Sequence, residues 1–124
     1  MGIRKKILII DDNENDLIYL SMFLAENDFY VISATSGREG IQKALTEKPC
    51  AIILGMSEKS EVTAIRKLQV NKDTKNIPII VTGAIPYYNR FFKLNEQFQM
   101  LKNYIEKPID RGLLLKKVKE LLKP

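Results

Sequence analysis

Five positions in this chain could do chemistry together. Asp11 and Asp12 are adjacent acids that directly follow the apolar run Ile7 to Ile10. Thr82 follows another such run, and Lys107 follows a short one at Tyr104 and Ile105. The fifth, Gly55, ends the run from Cys50 to Leu54 and has no side chain to offer. Two adjacent carboxylates can hold a hard divalent cation such as Mg²⁺ through oxygen ligands. A hydroxyl and an ammonium beside them could hold phosphoryl oxygens. Taken singly, each feature has a plainer reading as a helix cap, a strand-end hydroxyl or a surface lysine. Only their joint placement would be specific, and that depends on the elements that carry them.

Continuous apolar runs suit strands buried on both faces. Ile7 to Ile10, Cys50 to Leu54 and Ile77 to Val81 read in this way, and Phe29 to Ala34 fits a pleated, buried surface. Asp12 or Asn13 can cap a first helix, with Glu14 and Asp16 near its positive end and Leu17, Leu20 and Leu24 at helical spacing. Ser36 and Glu39 form a capping box for a second helix, which turns Ile41, Ala44 and Leu45 inward, with Pro49 beyond its end. Ser60 is placed to cap a third helix that buries Val62, Ile65 and Leu68. Pro86 can open a fourth, whose stripe is Phe91, Leu94, Phe98 and Leu101. A short strand near Tyr104 and Ile105 precedes a last helix capped by Asp110, with Leu114, Val118, Leu121 and Leu122 facing inward. Strand and helix thus alternate five times, which implies a parallel sheet covered on both faces. Such sheets place their chemistry at the carboxyl ends of the strands, where all five positions fall.

The 124 residues suit a single domain spanning 1–124. No apolar run approaches the ~20 residues that cross a bilayer, and the expected location is the cytoplasm. Residues 1–62 hold seven basic and ten acidic side chains, whereas residues 63–124 hold thirteen and five. The lysines of the basic half form no block, so a solvated surface is preferred over a nucleic-acid face. With apolar neighbours and no histidine in the chain to activate it, the lone Cys50 is expected to be a core thiol.

The sequence resembles the receiver domain of bacterial two-component response regulators over essentially its whole length. The resemblance rests on Lys6-Ile7-Leu8-Ile9-Ile10-Asp11-Asp12-Asn13-Glu14, on Ile79-Ile80-Val81-Thr82-Gly83-Ala84 and on Tyr104-Ile105-Glu106-Lys107-Pro108. It implies a flavodoxin-like (β/α)₅ doubly wound sheet of strand order 2-1-3-4-5. It further implies that Asp11 and Asp12 are the metal-binding acids, with Asp12 the direct ligand. Thr82 would be the hydroxyl beside the phosphoryl group, Lys107 its ammonium partner and Tyr104 the aromatic switch residue. Pro108 matches a proline that is cis in many members.

The departures are equally specific. The family ends its third strand on an aspartate that accepts the phosphoryl group; here that position is Gly55. The Met-Pro and Asp-Gly features of the next loop are missing, the loop looks shortened, and the segment from Thr82 to Lys107 is long and lacks the Gly-Ala pair before strand five. The expected protein is therefore a pseudo-receiver: no enzyme, no catalytic residue, and no cofactor or only weak Mg²⁺ at Asp11 and Asp12. A charge cluster of Asp11, Asp12 and Lys107 without metal is the other reading of that pocket. Expected partners are signalling proteins: a histidine kinase, an output domain or another receiver. Their contacts are expected on the face of the fourth helix, fifth strand and last helix, with Tyr88, Phe92 and Tyr104 as aromatic anchors and Tyr87 beside them. Lys116, Lys117 and Lys119 would form the rim. The alternatives are phosphorylation at Ser57 or Glu58, a small α/β enzyme for a phosphate-containing ligand, and a nucleic-acid-binding module.

Overall fold

The computed structural model describes residues 4–56, 59–83 and 103–123. Strand β1 (Lys6–Ile10) leads into helix α1 (Glu14–Glu26), β2 (Tyr30–Ala34) into α2 (Gly37–Glu47), and β3 (Ala51–Met56) into α3 (Lys59–Val70). β4 (Ile79–Gly83), β5 (Tyr104–Glu106) and helix α4 (Arg111–Leu121) complete the described elements. The five strands pair in the order β2-β1-β3-β4-β5, all parallel. The helix expected from Pro86, with its stripe Phe91, Leu94, Phe98 and Leu101, lies outside the described residues, as do Tyr87, Tyr88 and Phe92.

Alternation along the strands divides the core into two layers. Leu8, Ile10, Ile52, Leu54 and Val81 face α2 and α3, where Ala44, Ala64, Ile65 and Leu68 close the layer. Ile7, Ile9, Ile53, Ile80 and Ile105 face the other way, against Leu17, Leu20 and Leu24 of α1 and Leu114 and Val118 of α4. Each leucine, isoleucine and valine among them contributes roughly 1.5–3 kcal/mol by leaving water. β1, β3 and β4 are buried on both faces, which is why their sequences read as unbroken apolar runs. Edge strand β2 is different: it is half open, and Tyr30 at its start is exposed. Gly40 lets α2 lie close to β1, because a Cβ there would come 2.6 Å from Cγ1 of Ile10.

Several local expectations shift. Of the two candidate caps for α1, Asn13 is the one used, its side chain accepting the Asp16 N–H at 3.1 Å. Ser36 accepts the Glu39 N–H at 3.2 Å, but Glu39 reaches back to the Thr35 N–H instead of that of Ser36. The N–H of Leu113 is bound by Asp110 at 3.1 Å, as expected of a cap. Helix α3 begins at Lys59, so Ser60 lies inside it. Strand β2 starts at Tyr30, with Phe29 buried just before it. The third strand begins after Cys50 and runs through Gly55 to Met56. Cys50 is exposed, which corrects the expectation of a core thiol. Its neighbours are apolar because they enter the sheet, but Cys50 precedes the strand at the edge of the molecule. No helix among the described residues is long and apolar enough to cross a membrane.

Candidate functional site

The site sits where β1, β3, β4 and β5 end. Register places Ile10 beside Leu54, Gly55 beside Thr82, and Thr82 beside Ile105. Asp11 directly follows β1, with its own N–H bonded to Ala34 O at 3.0 Å, and its side chain is almost wholly buried. The carboxylate turns over β3. A Cβ built on Gly55 would meet it, lying 2.6 Å from Cγ of Asp11 and in contact with Oδ2. Gly55 does not have positive φ, so its backbone would accept any residue. What a side chain at 55 meets is the Asp11 carboxylate.

Both oxygens of that carboxylate are engaged. Oδ1 accepts the Asn13 N–H at 2.9 Å, and Oδ2 accepts from Lys107 Nζ at 2.9 Å. The same ammonium donates to Asp16 Oδ2 at 2.7 Å. Burial pulls the Lys107 ammonium down, but the hydrogen bonds to Asp16 and Asp11 and the charges of both acids outweigh it. The net result is a pKa above the ordinary lysine value of 10.5. Lys107 is positioned by its own N–H, which donates to Gly83 O at 2.9 Å; its peptide bond to Pro108 is cis.

Asp11, Thr82, Gly55 and Lys107 therefore meet at one edge. Asp12, next in the chain, is exposed. Asp16 is the member that sequence reasoning missed as part of the site. It sits in the first turn of α1, where an acid is already accounted for by the helix dipole. The only sequence signal was a second acid close behind the Asp11-Asp12 pair. Thr82 is fully buried, and among the described residues nothing lies within hydrogen-bond reach of its Oγ1. Tyr104 is half-buried and packs against the core, its hydroxyl donating to Gly83 O at 2.6 Å.

A divalent cation wants several oxygen ligands on one side. Asp11 has both oxygens committed, Gly55 adds no carboxylate, and no group of three acids, histidines or cysteines converges among the described residues. The residues present in this arrangement do not fit Mg²⁺. What the arrangement does chemically is hold one ammonium between two carboxylates, one buried and one flanking, an ion triad with one net negative charge.

No protein-family model matches the chain. It is 28% identical over 119 residues to the protein PilH of Pseudomonas aeruginosa, covering 94% of this chain and 97% of that protein. It is 26% identical over 118 residues to the response regulator PleD of Caulobacter vibrioides, covering 94% of this chain and 26% of that protein. Among solved structures, the chemotaxis response regulator CheY4 of Vibrio cholerae superposes with a TM-score of 0.80 at 20% identity, covering 97% of this chain and all of that one. The receiver-modulated diguanylate cyclase of Pelobacter carbinolicus gives 0.76 at 28% identity, covering 95% and 92%. The sheet order and these likenesses show a CheY-like, flavodoxin-type fold, and the chain is similar over nearly its whole length to response-regulator receiver domains. The relatives named here are bacterial proteins.

Proposed function

We propose that this chain is a response-regulator receiver domain of two-component signalling, and specifically a pseudo-receiver that acts through protein contacts without aspartyl phosphorylation. One observation carries the reading: the Asp11 carboxylate fills the space over Gly55 and is held there by Lys107. Glycine offers no oxygen to accept a phosphoryl group. The groups that would surround that group, Asp11 and Lys107, are bound to each other. Thr82 and Lys107 are then remnants of a phosphoryl pocket, and Asp11 and Asp12 are remnants of a metal site. The domain is a non-enzymatic module whose partners are signalling proteins: a histidine kinase, an output domain or another receiver. Incubation with acetyl phosphate and Mg²⁺, followed by intact mass, tests this directly. An unchanged mass is expected. Stoichiometric gain of one phosphoryl group overturns the reading, and mapping it to Ser57 or Glu58, outside the described residues, would identify a substitute acceptor.

A further inference from the structure

Helix α1 presents apolar side chains to solvent beside α4. Ile18 is 58% exposed, Met22 60% and Tyr19 46%. Ile18 and Met22 are one turn apart, and Glu26 extends the same stripe by another turn. Tyr19 also lines a groove of about 480 Å³ with Asp16, Leu20, Lys107, Pro108 and Ile109. The stripe and the groove form one surface across α1 and the start of α4. Core packing alone does not account for such a surface, since these side chains bury little on folding.

Charge is divided across that surface. Helix α1 carries Glu14, Asp16 and Glu26 and no lysine or arginine. Helix α4 carries Arg111, Lys116, Lys117 and Lys119 against one acid, Glu120. Arg111 leans onto α1, its guanidinium 5.3 Å from the centroid of Tyr19 and 5.5 Å from that of Phe23. At four-residue steps from Arg111 come Leu115 and Lys119, so the edge of α4 nearest α1 is basic at both ends. An apolar centre flanked by acid on one side and base on the other satisfies the condition for an isologous contact, a surface complementary to itself.

We infer that this α1–α4 face binds a second copy of the chain. Both helices follow strands of one parallel sheet on the same face, so they run in the same sense. A two-fold axis parallel to them lays α1 of each copy over α4 of the other. Ile18, Met22 and Tyr19 then bury at the centre, and the acids of α1 meet the bases of α4. The alternative two-fold, across the helices, sets α1 on α1 and brings acid against acid. The contact does not depend on how Gly55 affects phosphoryl chemistry.

Sedimentation equilibrium of the whole chain tests the pairing, with thermal melts confirming that each variant is folded. The wild type is expected to self-associate, less so as salt rises. Met22→Glu should weaken the dimer about tenfold or more, because it places a charge in the apolar centre. Glu26→Lys and Lys119→Glu should each weaken it, and the double reversal should recover part of the loss. A wild type that stays monomeric up to about 1 mM overturns the inference. So does a dimer that ignores Met22→Glu, which would place the contact elsewhere. Failure of the double reversal to recover any affinity overturns the pairing of α1 with α4.

Discussion

The carboxylate of Asp11 lies over Gly55, its Cγ 2.6 Å from where a Cβ on that residue would stand. This close approach couples the two positions, since neither can change without the other responding. In a parallel sheet the carboxyl end of a strand is where a side chain would project toward the site. Here the neighbouring strand end has taken that volume, and Lys107 holds it.

The first prediction concerns that coupling. Gly55→Ala should destabilise the domain by roughly 1–3 kcal/mol, the ordinary cost of forcing extra volume into a packed site. Asp11→Ala in the same chain should remove most of that penalty, a positive coupling measurable in a double-mutant cycle by denaturant titration. Additive effects would show that the carboxylate swings aside freely.

Gly55→Asp should be more costly than Gly55→Ala. It adds a second carboxylate against Asp11, and two such groups in contact cannot both ionise without penalty. Calorimetric titration with Mg²⁺ should show no binding to the wild type. Binding to the variant would show that Asp11 can leave Lys107 and turn outward to join Asp12 as a ligand.

Lys107→Met leaves Asp11 buried and unpaired, at a cost of about 3 kcal/mol, read as a lowered midpoint of unfolding. Replacing Asp11 by Asn together with Lys107→Met should restore much of the stability, because no buried charge is then left alone. If the single variant is as stable as the wild type, the Asn13 N–H and solvent suffice to hold the Asp11 carboxylate without Lys107.

The same triad sets an alkaline limit. The folded pKa of Lys107 is raised above its ordinary value of 10.5, so the folded state holds this proton more tightly than the unfolded chain. Its stabilising contribution is complete below 10.5 and is lost as pH rises through the raised value. Melting temperatures of wild type and Lys107→Met should therefore converge above that range. A gap that persists unchanged there would assign the effect to packing of the lysine stem instead.

Thr82→Val replaces a buried hydroxyl for which no described residue provides a partner. Removing an unsatisfied polar atom is expected to be neutral or to stabilise by up to about 1 kcal/mol. A marked loss of stability would mean that the segment after Gly83 satisfies the hydroxyl.

The sequence by itself determined the alternation of elements, the central strands and most helix starts. These are local properties: a β-branched run excludes water from both faces of a strand, and Asn13, Ser36 and Asp110 satisfy N–H groups only three residues away. It also determined that Asp11, Gly55, Thr82 and Lys107 share an edge, since parallel strands must all end on the same side. Tertiary structure alone decided how they meet. Lys107 reaches Asp11 across 96 residues of sequence and Asp16 across 91. No local pattern specifies that choice over Asp12, which depends on the angle at which α1 leaves the sheet. The rotation of Asp11 into the volume over Gly55 is a matter of packing, because a glycine in sequence shows a missing side chain but not what fills its place. Cys50 carries the same lesson at the other end of β3: apolar neighbours identify a strand, but where the chain enters the sheet decides which residue stays in water.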